Sequence, residues 1–367
     1  MRFVLIILTC LTLINFYSYR RFFCKVGPRA QRFGFVVFFT LTLGEMLYFG
    51  DRFLDLLPTS KLLTQGLSSF VGISFMLFIV AILYDVLQTT AHRIPFSHHR
   101  RNSLKRLLDF AMLIGASSYL LQGFWQGSTA PKVKKVQVHI PDFPVQNYTI
   151  VQLTDVHIGR TIKRDFIEDL VNRTNALKPN LVVITGDLVD QHPSVITQDL
   201  APLKNIQAPT YFVTGNHEYF HRVNDVLDHL QTLDIVPLNN HNSLQKEGFY
   251  LVGISDLFGK RWNLHPPNLP QAYHGVDTSK PVIVLAHQPK AIEEFSHQRC
   301  DLMLSGHTHG GQIFPFGMLV KLAQPYLAGL HTHKPGQQIY VSRGTGYWGP
   351  PLRVLAPSEI THITIKT

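Results

Sequence analysis

The stretch Thr149-Ile-Val-Gln-Leu-Thr-Asp155-Val-His157 runs six residues of strand-forming character into a carboxylate and an imidazole two positions apart. Taken singly it is a strand followed by a polar turn, but the same arrangement recurs further on. Leu181-Val-Val-Ile-Thr185 leads into Gly186-Asp187-Leu-Val-Asp190, and Thr210-Tyr-Phe-Val-Thr214 leads into Gly215-Asn216-His217-Glu218. Val282-Ile-Val-Leu-Ala286 is followed by His287, and Leu302-Met-Leu-Ser305 by Gly306-His307-Thr-His309-Gly310-Gly311. In sheets built from β–α units the C-terminal strand ends share one edge, where ligands bind, so the five blocks are predicted to meet. Imidazole, carboxylate and amide oxygen together suit divalent ions such as Mn, Fe or Zn, and neighbouring glycines let the backbone turn tightly into such a site. Any one block is more simply a turn or a hydrogen-bonded core histidine; five in succession, each behind an apolar run, point to a metal site.

Working outward, further strand-like runs cover Val136–Ile140, Tyr250–Ile254, Ile339–Ser342 and Ile360–Ile365. Helical periodicity is clearest in Arg164–Leu177, where Phe166, Ile167, Leu170, Val171 and Leu177 recur at three- and four-residue steps. Two more helices are predicted near Thr197–Asn205 and Val223–Leu233. Strands interleaved with helices predict sheets packed together and covered by helices.

The order of these motifs, over about residues 148–310, resembles the calcineurin-like metallophosphoesterase superfamily. Gly306-His-Thr-His-Gly-Gly-Gln312, Ser342-Arg-Gly-Thr-Gly-Tyr-Trp-Gly-Pro-Pro351 and Ala356-Pro-Ser-Glu-Ile360 look like its membrane-anchored bacterial phosphodiesterase-like subgroup, which includes transmembrane proteins with a metallophosphoesterase domain. The resemblance implies a four-layer α/β/β/α sandwich and two divalent ions. It implies that Asp155, His157 and His309 hold one ion, that Asn216, His287 and His307 hold the other, and that Asp187 bridges them. It also implies a metal-bridging hydroxide attacking phosphorus in line, the ions about 3.5–4 Å apart as in other two-metal hydrolases. His217 is then expected to protonate the leaving oxygen, with Glu218, or as the second choice Asp190, orienting its ring. Arg343 and Arg160 are candidate phosphate clamps, since guanidinium pairs with phosphate oxygens; a solvated surface arginine is the alternative for both.

Ahead of these motifs lie four apolar runs, Phe3–Tyr19, Phe33–Gly50, Leu62–Tyr84 and Phe110–Trp125. A hydrocarbon core about 30 Å thick takes roughly 20 helical residues to cross, so the reading is a four-span membrane domain over residues 1–125, a linker at 126–135 and a catalytic domain at 136–367. A signal peptide is the alternative for the first run, but no small-residue cleavage site follows it. Arg20 and Arg21 are read as loop charge rather than as a twin-arginine export signal. Glu45 and Asp85, acids inside or at the edge of spans, are either a proton path or interfacial residues. Counting Lys and Arg in the loops, Lys25 and Arg93 among them, places ten on one side and six on the other. By the positive-inside rule the catalytic domain is then extracytoplasmic, or periplasmic.

Composition narrows the function. The formal charge is +10, yet residues 1–135 hold 16 Lys/Arg and 5 Asp/Glu while residues 136–367 hold 18 and 19. A catalytic domain without basic excess argues against nucleic acid as partner. Three cysteines, Cys10, Cys24 and Cys300, are too scattered for a disulfide framework or a cysteine zinc site. Residues 313–330 are strongly apolar with one charge, and either rest on a bilayer beside the site or pack in the core. The expected substrate is a lipid or lipid-linked phosphodiester or pyrophosphate. The alternatives are a transport or sensor protein with a regulatory hydrolase domain, and a protein phosphatase.

Overall fold

In a computed structural model of the chain, residues 2–24, 27–54, 57–58, 60–92 and 98–367 are described. Lys25 and Arg93, two of the loop charges counted above, lie outside them. The chain divides into a helical unit, residues 1–128 with 349–354, and an α/β unit, residues 129–348 with 355–367.

The helical unit contains α1 (Arg2–Phe22), α2 (Pro28–Leu54), α3 (Lys61–His92) and α4 (His98–Ser128). Each predicted apolar run falls in one of them. Among the described residues, three stretches, in α2, α3 and α4, are long and apolar enough to cross a membrane. Inside the unit Asn15 Nδ2 donates to Glu45 Oε2 at 2.9 Å, and Glu45 is buried. Arg21, expected in a loop, lies in the last turn of α1 and pairs with Asp85 of α3 at 2.5 Å. The Gly349–Val354 segment is threaded into this unit, where Arg353 N donates to Gly123 O at 3.0 Å and both Leu352 and Arg353 are buried.

The first strand of the α/β unit follows three residues after α4. Its elements are β1 (Lys132–His139), β2 (Tyr148–Leu153), α5 (Arg164–Ala176), β3 (Leu181–Thr185), α6 (Pro193–Leu200), β4 (Thr210–Val213), α7 (Asn216–Phe220), α8 (Val223–Gln231) and β5 (Ile235–Pro237). Then come β6 (His241–Leu244), β7 (Tyr250–Gly253), β8 (Val282–Leu285), β9 (Leu302–Ser305), β10 (Gly329–Lys334), β11 (Gln337–Val341) and β12 (Glu359–Lys366). Helix and strand thus occupy all but Thr129–Pro131 of the stretch read as a linker.

Two six-stranded sheets result, ordered β1-β12-β2-β3-β4-β5 and β10-β11-β9-β8-β7-β6. The pairs β2/β3, β3/β4, β7/β8, β8/β9 and β9/β11 are parallel, so their C-terminal ends point the same way within each sheet. β3 shows why these runs fold as strands. Leu181 and Val183 enter a core built from both sheets, with Leu251, Ile283, Leu285 and Leu304, while Val182 and Ile184 face a core shared with Ile167 and Leu170 of α5 and Val226 and Leu230 of α8. Alternate side chains serve alternate faces, and both faces are covered, as the continuous apolar run requires. Each such side chain contributes about 1.5–3 kcal/mol by leaving water. A third core, with Val252, Val284 and Met303, covers the other face of the second sheet against Ile292 and Phe295.

The two sheet edges are tied at the level that matters for the site. The buried Gln152 Nε2 donates to Thr185 Oγ1 at 2.8 Å and to Ser305 O at 2.9 Å, bridging β2, β3 and β9 near their C-terminal ends.

Candidate metal centre

Every block found in the sequence leaves its strand at this tied edge. Asp155 and His157 follow β2, Asp187 and Asp190 follow β3, and Asn216, His217 and Glu218 open α7 after β4; His287 follows β8, and His307 and His309 follow β9. The turns are tight enough that five of these side chains sit on left-handed backbone: Asp155 (φ 51°), His157 (58°), Asp187 (50°), His307 (70°) and His309 (50°). That region disfavours L-residues by about 1–2 kcal/mol each, so the surrounding hydrogen bonds must hold them there, as is common where geometry serves function. Two glycines make room. A Cβ on Gly215 would stand 2.2 Å from Asp187 Oδ1, and one on Gly306 2.2 Å from Asp155 Oδ2.

Among the described residues three constellations of donor atoms result, each within 4.8 Å: Asp155, His157 and His309; His157, Asp187 and His217; Asp187, His287 and His307. His157 Nε2 faces His309 Nε2 at 3.1 Å, and His307 Nδ1 faces His287 Nε2 at 3.2 Å. Paired imidazole nitrogens at such range converge on a common point where a cation satisfies both lone pairs. His309 Nε2 lies 3.4 Å from Asp155 Oδ1 and His287 Nε2 3.3 Å from Asp187 Oδ2. Asn216 adds the decisive detail. Its Oδ1 is buried with no hydrogen-bond partner, a costly state for an amide oxygen unless a ligand takes it up. The donor set, mixed nitrogen and oxygen, therefore fits divalent transition ions.

Around this core the rings are oriented from outside. His287 Nδ1 meets Thr185 O at 2.8 Å, while His157 Nδ1 and His217 Nδ1 share Asp190 Oδ1 at 2.9 and 2.6 Å. The expectation that Glu218 orients His217 is corrected here: Asp190 does so. Glu218 points the other way and accepts four backbone N–H bonds, from Asp187 (3.0 Å), Leu188 (2.8 Å), Val189 (3.2 Å) and Gly215 (2.6 Å). Consecutive helical residues do not share a face, so the neighbour of His217 in sequence is not its neighbour in space. A glutamate three residues after the helix-capping Gly215, reaching back to its N–H, is a recognisable helix-start signal that would have separated the two roles.

Electrostatics follow from this packing. Burial opposes charge on Asp187, but His287 and His217 outweigh it and hold the carboxyl well below the usual range; His157 and His217 do the same for Asp190. Burial likewise works against a charged His217, yet Asp187 and Asp190 push its pKa up to about 9. His307 is pushed down to about 3 by burial and by His287 beside it. Burial, with Asp187 close by, raises Glu218 to about 7.

Residues 148–311 match the calcineurin-like phosphoesterase family, an interval that contains all seven predicted metal ligands. A metallophosphoesterase of uncharacterised function from Helicobacter pylori strain 26695 is 37% identical over 363 residues, 98% of this chain and 96% of its own length. The chain belongs to the calcineurin-like metallophosphoesterases. It is accordingly a metal-dependent phosphoester hydrolase. A transmembrane protein with metallophosphoesterase domain from Danio rerio is 35% identical over 69% of this chain and 62% of its own length. Among solved structures, a dimetal phosphatase from Danio rerio covers 56% of this chain and 90% of its own, at 16% identity and a TM-score of 0.37.

Other predicted residues of the metallophosphoesterase fall around the centre. The stem of Arg343 lies against Gly310, beside His309, and its Nη1 pairs with Glu359 Oε2 at 3.1 Å. Arg160 is half-buried in the turn between Ile158 and Ile162. Of the apolar stretch 313–330, Ile313 is buried, while Phe314, Phe316, Met318, Leu319 and Leu322 are exposed rather than packed in the core. Sequence reasoning assigned nothing to Trp348, whose ring meets that of His217 edge-on at 5.9 Å. It also passed over Asp256, buried behind the site, which accepts from Phe258 N and Gln288 Nε2 and is pushed up to about 6 by burial.

Proposed function

We propose that this metallophosphoesterase cleaves a phosphodiester or pyrophosphate in a lipid or lipid-linked substrate, with two ions held as the sequence pattern implies. Asp155, His157 and His309 would hold one, Asn216, His287 and His307 the other, and Asp187 would bridge them. Bound there, the ions would supply charge neutralisation of the phosphoryl oxygens and an activated water; Mn, Fe and Zn all suit the donors. The observation that carries this reading is that Asp187 belongs to two of the three constellations, as a bridging carboxylate must.

The residues around the ions have separate work. His217, held between Asp190 and Asp187, would donate a proton to the leaving oxygen. Asp190 fixes the direction of that ring through Nδ1, leaving Nε2 turned toward Asp187 at 3.8 Å. Arg343, already held by Glu359, would receive a non-bridging phosphoryl oxygen, and Arg160 a second.

Several coarser features support the wider reading. The packing of α5 and α8 on the outer face of the first sheet, and of the turn carrying Ile292 and Phe295 on that of the second, supports reading the α/β unit as a four-layer α/β/β/α sandwich, and the same reading takes α1 as a fourth span. The loop charges favour an extracytoplasmic catalytic unit, and its balance of 18 basic to 19 acidic residues after position 135 disfavours nucleic acid. A lipid substrate explains why a hydrolase carries more apolar helix than tethering needs. The test is metal analysis of the purified full chain together with hydrolysis of a panel of phospholipids, isoprenoid pyrophosphates, phosphopeptides and nucleotides. Two ions per chain and turnover of lipids are expected; turnover confined to phosphopeptides or soluble nucleotides would refute the lipid assignment.

A second reading, a sensor or transport module with a regulatory hydrolase, rests on the buried Glu45–Asn15 pair. Glu45→Gln abolishing the cellular phenotype while Asp187→Asn leaves it intact would favour it.

A further inference from the structure

The side of the metal centre occupied by His217 is bordered by large apolar side chains that a protein rarely leaves in water. Phe220 and Trp348 both meet the His217 ring edge-on, at 5.7 and 5.9 Å, and Phe220 continues into Trp262 at 5.6 Å. All three are about half exposed. On the other side of Trp348 the border is continuous with the turn after the last ligand. Gln312 Nε2 donates to Trp348 O at 2.9 Å, and Trp348 N donates to Gln312 Oε1 at 3.1 Å. The residues that follow Gln312 include Phe316, Met318 and Leu322, which are 46%, 68% and 84% exposed. Lys321 is the one charge in this turn. Contiguous exposed apolar surface of this kind marks an interaction site, and tryptophan, phenylalanine and lysine together are the composition of a membrane interface.

We propose that this rim, from Trp262 through Phe220 and Trp348 to Leu322, inserts into the interfacial layer of a lipid bilayer and takes the phosphoester directly from it. The occupant follows from connectivity. Only Thr129–Pro131 separate α4, one of the helices apolar enough to cross a membrane, from the first strand of the catalytic unit. Four peptide steps reach about 13–14 Å, so a bilayer holding α4 is presented to the catalytic unit at high effective concentration. The rim also lies on the leaving-group side of the centre, beside the proton donor. The apolar tail of a lipid thus leaves along the surface that stays in the membrane, while the phosphoryl group faces the ions. This inference rests on the phosphoesterase reading for the substrate it draws in, but not for the membrane contact itself.

The two parts are tested separately in the full chain reconstituted in vesicles. Trp125→Phe with Trp262→Phe leaves Trp348 as the sole tryptophan. Its fluorescence is expected to be quenched by phospholipids brominated on the acyl chain and protected from aqueous iodide. Quenching by iodide, or by neither, would overturn the insertion. In the second test Met318→Ser, Leu319→Ser and Leu322→Ser are combined. Turnover of hexadecyl 4-nitrophenyl phosphate in the vesicle is expected to fall at least about tenfold, since burial of a large side chain corresponds to that much or more. Turnover of the soluble ethyl ester of the same phosphate is expected to hold within about twofold, because these side chains lie outside the metal centre. Equal loss on both substrates, or on neither, would overturn the supply role. If the unaltered chain cleaves neither ester, the phosphoesterase reading fails, and the quenching result still decides the surface.

Discussion

The two sheets bring unlike chemistry to their common edge. Loops of the first sheet supply every acid close to the centre, Asp155, Asp187, Asp190 and Glu218, along with His157, Asn216 and His217. Loops of the second supply imidazoles, His287, His307 and His309, and the nearest acid there, Asp256, stands back and accepts from Gln288 and a backbone amide. One sheet thus carries the carboxylates that raise His217, and the other carries imidazoles; in the proposed reading the first would retain the cations and the second would complete their coordination. Losing a donor from the two sides should therefore have different consequences, even where the number of ligands lost is the same.

The largest effect is expected from Asp187→Asn, which removes the carboxylate common to two constellations. Metal analysis should show both ions weakened, and diester turnover should fall by more than about a thousandfold; full occupancy of both positions would remove Asp187 from the bridge. His287→Ala, taken from the other sheet, should lower the stoichiometry toward one ion while the Asp155 side stays filled. If both ions leave together, the two sides are not separable in this way.

His217→Ala sharpens the contrast within the first sheet. Metal content should be retained while turnover of esters with poor leaving groups falls by about 10²–10⁴-fold, the usual share of a positioned acid; nitrophenyl esters, which need no proton, should suffer less. A matched pair then separates the two carboxylates nearest that histidine. Asp190→Asn should cost about 10–100-fold in activity or metal affinity, as is typical for a partner that orients ligands. Glu218→Gln should act on stability instead. The amide keeps one acceptor oxygen, so two of the four backbone N–H groups lose theirs, at about 1.5–3 kcal/mol each, read as a lower midpoint in thermal unfolding with the protonation role of His217 preserved.

The smallest effect concerns Cys300, just ahead of β9 in the second sheet. Burial pushes its thiol up to about 12, so iodoacetamide at pH 8 should leave it unmodified until that sheet opens. Modification of the folded chain would show the second edge to be looser than its packing implies.

All nine predicted strand runs fall on strands: most are buried apolar segments whose burial is visible as composition, and the edge strand β1 shows instead through the alternation of buried Val136, Val138 and Ile140 with exposed residues. β5, β6 and β10 were not legible, and their chemistry says why. β5 is three residues long and includes Pro237, β6 is His-Asn-Ser-Leu, and β10 lies at the sheet edge with alternate residues in water. Edge strands need no apolar run, since only part of their surface is covered. The same logic separates ligands from their supports. Asp155, His157, Asp187 and the other predicted ligands announce themselves by following buried strands, whereas Asp190 and Trp348 matter through tertiary approach to His217 from 27 and 131 positions away. The apolar stretch after His309 was visible, but whether it faced solvent or core depended on Ile313 turning inward while Phe314, Phe316 and Leu322 turned out.

The short thread Gly349–Val354 bears on how this molecule can be cut. The backbone passes between units three times, after Ser128, after Trp348 and again after Val354, so a protease nick in Thr129–Pro131 does not by itself remove every segment of the helical unit from the α/β unit. The released piece would still carry the buried Leu352 and Arg353, stripped of Gly123, whose carbonyl accepts from Arg353 N. Proteolytic release of the catalytic unit at that point is opposed by the chain's own connectivity.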